Sequence, residues 1–220
     1  MSLRHEPDVS HADWFVRSEA DWTVLATQGP PGFEAYATVR FDDGESVSYR
    51  SDDEVMAHVV RLATARTRTP EDVFFGLWDG WGELTDAGRA YTTLRGNWLR
   101  DLWFRPTPPR IRPAFDDDVL EAPKVDLHGE RAYLLFRGAA TSVGDWGARP
   151  YDTDVVRTLP PASLTWPADR AWFIAADVDP SWMVVGGTQA LVDAILAEPD
   201  LDAAPATHGV VPTLTPEEDR

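Results

Sequence analysis

Residues Leu164 to Glu198 read LTWPADRAWFIAADVDPSWMVVGGTQALVDAILAE, and the order of strand, turn and helix formers in them sets the fold class. Pro167 and Asp169 open the segment, and Arg170 to Val178 follows as a nearly unbroken apolar run holding Trp172, Phe173 and Ile174. So short a run suits a strand covered on both faces better than a surface helix. Asp179-Pro180-Ser181 is turn chemistry, since proline presets φ and aspartate bonds the backbone beyond it. Trp182 to Val185 makes a second strand, so the pair is expected as a hairpin. Gly186 and Gly187 then release the chain into a sharp strand-to-helix turn, and Thr188 caps the helix through its hydroxyl. Leu191, Val192, Ile195 and Leu196 form one apolar stripe, and Pro199 stops the helix.

Upstream segments read as material that packs on this unit. Ser10 caps a short helix from His11 to about Ser18, and helical spacing continues from Asp21 to Thr27. Gln28 to Gly32 breaks it, and Glu34 to Phe41 alternates as a half-buried strand. Asp42-Asp43-Gly44 turns the chain, with Val47 to Tyr49 as a short return strand. A helix is expected from Asp52 or Asp53 to about Thr67. Asp72 to Trp78 and Arg131 to Gly138 are further buried strands, and Ala139 to Leu159 is a long loop. Leu201 to Ala206 is expected as an edge strand. Residues 1–9 and 207–220 are expected as flexible arm and tail around one domain spanning 10–206. Without regular βαβ alternation, the pattern is α+β: one mostly antiparallel or mixed sheet with helices packed on one side.

The 220 residues carry a formal net charge of −17, with 37 acidic against 20 basic side chains. Such a surface repels phosphates and anionic lipid, which disfavours nucleic acid and membranes as partners and suits a basic protein partner. There is no cysteine, so disulfides, thiol catalysis and cysteine-ligated metals are excluded. The first ten residues lack an apolar signal core, and a cytoplasmic protein is expected. Lys124 is the sole lysine, so arginine supplies nearly all the positive charge.

Chemical motifs are sparse. No nucleophile elbow, zinc helix, Walker loop or dinucleotide fingerprint occurs, and His5, His11, His58, His128 and His208 are dispersed. No cofactor or metal is expected. Asp152 with Asp154, and Asp177 with Asp179, have the D-x-D form that turns two carboxylates one way in an extended segment. Against a ligand role, Asp179 would cap the turn before Pro180 while Asp177 pairs with an arginine. Asp116-Asp117-Asp118 lacks the alternate spacing and glycine of a calcium loop and reads as a solvated turn. Residues 86–112 mix six arginines with Tyr91, Trp98, Trp103 and Phe104, a pattern that binds nucleotides in some proteins. In so acidic a chain, those arginines are expected to pair with its own carboxylates.

The segments GPPGFEAYATVRF, TPEDVFFGLWDGWG, YLLFRG and WPADRAWFIAADVD, followed by VGG and LVDAIL, resemble a group of uncharacterised actinobacterial proteins. The resemblance implies a soluble bacterial protein and carries no activity, cofactor or site residue. Two functional expectations follow. One is a non-enzymatic acidic module that binds a basic protein, as an immunity protein or antitoxin does. The other is a small-molecule-binding protein or enzyme whose pocket is walled by Trp78, Trp81, Trp166 and Trp172, with Asp177, Asp179 or Arg170 as polar groups.

Overall fold

The computed structural model describes residues 2–41, 51–85, 112–151 and 157–212. The expected return strand at Val47 to Tyr49, the Asp152/Asp154 pair and nearly all of the arginine-rich stretch lie outside them. Among the described residues nine strands form one open sheet: β1 (Arg4–His5), β2 (Ala35–Arg40), β3 (Val73–Trp78), β4 (Val125–Leu127), β5 (Arg131–Gly138), β6 (Leu164–Pro167), β7 (Phe173–Ala175), β8 (Trp182–Gly187) and β9 (Ala203–Ala206). Their order is β1-β5-β3-β6-β7-β8-β2-β9, with β4 also on β5, and every pairing is antiparallel. The described helices are α1 (Asp13–Val16), α2 (Trp22–Gln28), α3 (Asp52–Thr64), α4 (Asp117–Leu120) and α5 (Gln189–Leu196). The protein is therefore α+β around a mostly antiparallel sheet.

Two buried clusters lie against the strands. In one, Val55, Met56, Val59 and Val60 of α3 and Leu191, Val192 and Ile195 of α5 join Ala37, Val39, Phe75, Leu77 and Val185. In the other, Phe15 of α1 and Leu25 of α2 join Phe74, Tyr133, Trp166 and Phe173. The strands alternate between the two sets, so helices contribute to both, which corrects the expectation of helices on one side. The second cluster is aromatic: Trp166 stacks between Phe74 (5.4 Å) and Phe173 (5.7 Å), and Phe15 meets Trp166 edge-on at 5.1 Å. Such offset and edge contacts add about 1 kcal/mol each beyond area burial.

The long apolar run divides differently from its expected form. Leu164 to Pro167 is a strand of its own, and the chain turns through Asp169 and Arg170 into the shorter β7. Arg170 adopts φ +57°, and Thr67 Oγ1 and the Arg68 amide donate to the Asp169 carboxylate at 2.7 and 2.8 Å. Gly186 and Gly187 do not release the chain, because both belong to β8 and pair with Tyr36 and Ala35. A Cβ on Gly186 would lie 2.6 Å from the Phe33 ring, so glycine here serves close packing. Thr188 caps α5 as expected, its Oγ1 accepting from the Leu191 amide at 3.3 Å. β2 is buried on both faces rather than half-buried, since Tyr36 and Thr38 are covered as well as Ala37 and Val39.

Neither described terminal segment is free. Leu3 is buried and Arg4–His5 pairs with Phe136 and Arg137, while Arg137 bonds both Asp72 and Glu6. At the other end His208 Nε2 lies 3.0 Å from the Gly29 carbonyl, and the Gly209 amide donates to Gln28 at 2.8 Å. No local pattern announces either contact, because the partners lie 131 residues apart for Arg137 and Glu6 and 179 for His208 and Gly29. β9 closes one edge of the sheet and carries Pro205, whose nitrogen has no hydrogen to offer a further strand.

Candidate functional site

At one end of the sheet, a cleft of about 580 Å³ opens where strand ends and helix α3 converge. That volume lies within the range of roughly 300–1,000 Å³ typical of ligand pockets. Phe41 enters it from the end of β2, Asp52 and Asp53 from the first turn of α3, and Trp81 and Glu83 from the turn after β3. Thr158 to Pro161 and Ser163 lead into β6, and Ala176 to Ser181 link β7 with β8.

Local chemistry holds these walls in place. Ser51 and Glu54 form a capping box: Ser51 Oγ accepts from the Glu54 amide and the Glu54 carboxylate accepts from the Ser51 amide at 2.9 Å. That fixes the first turn of α3 and with it Asp52 and Asp53. Arg157 is buried and donates to the carbonyls of Arg149 (2.8 Å), Glu83 and Arg112, drawing the Glu83 turn towards residues 158–161. Burial pushes the Arg157 guanidinium pKa down, and the Tyr151 ring 4.1 Å beneath it supplies a compensating face. Trp146 Nε1 donates to the Pro160 carbonyl at 3.2 Å.

The cleft is acidic. Asp52, Asp53, Glu83, Asp177 and Asp179 line it, and no lysine, arginine or histidine is among the described lining residues. Burial, then repulsion from Asp52 and Glu54, raises the Asp53 carboxyl above the ordinary aspartate range. Ser163 adds a neutral polar group. Only 1% of it is exposed, and its amide and carbonyl are used by Gly76 and Ala176, but its hydroxyl has no partner among the described residues. Alternation along β6 places that side chain with Thr165, whose register partners Phe75 and Ile174 belong to the same cluster as the cleft residues Phe41, Trp81 and Ala176. Thr165 is also buried with an unpaired hydroxyl.

The residues expected at a site separate into three groups. Trp81, Asp177 and Asp179 come together at the cleft. Trp166 and Trp172 are solid core, 1% and 0% exposed, so the expected wall of four tryptophans does not exist. Trp78 lies beneath Arg131, and Arg170 sits exposed with its guanidinium 5.2 Å from the Trp14 ring.

Asp177 and Asp179 are also less free than the D-x-D reading requires. Arg131 reaches both carboxylates of Asp177 and Asp179, at 3.4 and 3.1 Å, while its guanidinium lies 5.3 Å from the Trp22 ring and 5.2 Å from Trp78. Pairing of Asp177 with an arginine is thus realised, and Asp179 shares that arginine. No motif in the sequence marks Asp52, Asp53, Glu83, Ser163 or Arg131 as site residues. Asp52 and Asp53 read as a helix start, and nothing local brings either towards Asp179.

Other candidates are internally satisfied. The amide of Gln189, at the start of α5 after the glycine pair, donates to Glu34 at 2.9 Å, so a carboxylate of the chain already occupies that helix start. Asp116 bonds Arg149 and precedes α4. His11 lies against the Phe74 ring, His58 faces Glu198, and His128 approaches the Val16 carbonyl, so the histidines are not gathered. Among the described residues no group of three or more His, Asp or Glu converges at metal-binding distance, and no helix is long and apolar enough to cross a membrane. Compared with protein-family models, curated proteins and solved structures, the chain matches none.

Proposed function

We propose that this chain is a non-enzymatic binding protein whose partner is a basic protein, received at the acidic cleft. The observation that supports this reading is the lining itself: five carboxylate residues, two of them held by Arg131, and no basic residue among the described lining residues. The net charge of −17 adds a long-range field that steers a cationic partner and raises its association rate. Neutralisation of a basic toxin by an immunity-type protein is one form such a role takes. A catalytic reading has less support, because the most buried carboxylate of the cleft, Asp177, is engaged by Arg131.

The test is calorimetric titration of the whole protein with short basic and acidic peptides of equal length at low and at physiological salt. Binding of the basic peptide alone, weakened by salt, supports the reading. Equal response to both peptides, or to neither, removes it.

A further inference from the structure

Resting on that reading, we infer that the cleft is a subsite for the guanidinium of an arginine side chain presented by the basic partner. Three observations lead to an organic cation of this kind. The carboxylates of the cleft are spread around its walls and do not converge at metal-binding distance among the described residues, so a point-like divalent ion lacks its ligand shell. Ser163, only 1% exposed as a residue, lines the cleft, and its hydroxyl makes no hydrogen bond to the described residues, so it can accept one from a ligand. A guanidinium offers five N–H donors in a plane, enough to meet Ser163 Oγ together with carboxylates on more than one wall.

The third observation is a precedent within the fold. At the same end of the sheet, the guanidinium of Arg131 is held by Asp177 and Asp179 and lies near the faces of Trp22 and Trp78. The cleft repeats that combination: Asp52, Asp53 and Glu83 supply the acids, and Trp81 and Phe41 supply aromatic walls. Aromatic faces favour the planar, weakly hydrated guanidinium over the compact, strongly hydrated ammonium. Pro160, Pro161 and Pro180 give the methylene stem an apolar path. Displacing water from among like charges also relieves their mutual repulsion, consistent with the raised Asp53 carboxyl.

The experiment compares a peptide of alternating arginine and glycine with its lysine counterpart, N-acetyl-arginine amide, and calcium chloride, by calorimetry on the full chain. The arginine peptide should bind roughly fivefold tighter than the lysine peptide, the worth of one partly desolvated cation–π contact. Glu83→Gln combined with Asp53→Asn should weaken the arginine peptide by about tenfold or more, whereas Glu121→Gln, on an exposed turn away from the cleft, should not. Ser163→Ala tests that hydroxyl independently and should lower the affinity for N-acetyl-arginine amide. Equal affinity for both peptides, tighter binding of calcium than of the arginine amide, or indifference to the cleft substitutions while basic peptides still bind would each overturn the arginine subsite and leave the basic-partner reading intact. Failure of every basic peptide to bind would remove both.

Discussion

Arg131 and Asp177 form a doubly bonded pair across the sheet end, with Nε and Nη2 each 3.4 Å from a carboxylate oxygen. The Asp177 side chain is only 5% exposed, and Arg131 is its ion-pair partner. Arg131→Ala strands the carboxylate in a low-dielectric setting, and breaking such a buried pair costs about 3–5 kcal/mol. Urea denaturation of the variant should show a midpoint shift of that size with an unchanged slope. Arg131→Met with Asp177→Leu, which removes both charges, should recover most of the loss. If the double variant is as unstable as the single one, the pair is not what holds this corner.

This pair also marks where sequence stops being informative. The strands at Val73–Trp78 and Arg131–Gly138 are legible because their apolar runs are bounded by turn residues, and α5 is legible because Thr188 precedes a clean apolar stripe. The partner of Arg131 lies 46 residues away, and no local pattern encodes that meeting. The same holds for the cleft: Asp52 at the start of α3, Glu83 in the turn after β3 and Asp179 between β7 and β8 are brought together only by the fold. Trp81 stands between two glycines in a turn and lines the cleft, whereas Trp172 lies in an apolar run beside Phe173 and is core. The pairing of Arg4–His5 is hidden from sequence for a different reason: main-chain pairing needs no special side chain.

Asp53 gives the cleft a pH response. Its folded-state pKa is raised above the ordinary value of 3.8, so the folded protein binds this proton more tightly than the unfolded chain. Its ionisation therefore costs stability above the folded pKa, and the cost disappears as pH falls below the unfolded value. Asp53→Asn should raise the melting temperature at neutral pH, with the gain vanishing near pH 3.8. Basic-peptide affinity should run the other way in the parent protein, falling as acid titrates the same carboxyl. Calorimetric melts of both proteins across acidic to neutral pH check the first half, and titrations of the peptide check the second.

The opposite sign applies at Asp72. Arg137 donates to both its carboxylate oxygens, at 2.5 and 2.8 Å, and these hydrogen bonds hold the Asp72 pKa below 3.8. The stabilisation is present above the unfolded pKa and is lost as pH falls through the depressed folded value. Arg137→Met should therefore reduce stability at neutral pH and leave it nearly unchanged in strong acid. Because this arginine also bonds Glu6, removing residues 1–6 should destabilise too, by about 2 kcal/mol from Leu3 burial alone. Chemical denaturation of the truncated protein measures it, and a midpoint equal to that of the full chain would show that β1 contributes nothing.

Trp81 and Trp172 provide the sharpest contrast between wall and core. Trp172 is 0% exposed and belongs to the cluster beneath α3 and α5, so its truncation removes a large apolar body and leaves a cavity. Trp172→Ala should cost about 3–5 kcal/mol. Trp81 is only partly buried, meets Trp78 edge-on at 5.5 Å, and stands on a turn whose position is also held by the Arg157 bond to Glu83. Its truncation should cost less stability and should shift binding instead, weakening an arginine peptide more than a lysine peptide. The two variants thus separate in a plot of midpoint against affinity: Trp172→Ala moves along stability, Trp81→Ala along peptide binding. Were Trp81→Ala to lose as much stability as Trp172→Ala and keep its arginine preference, Trp81 would be core and the cleft would have lost its aromatic wall.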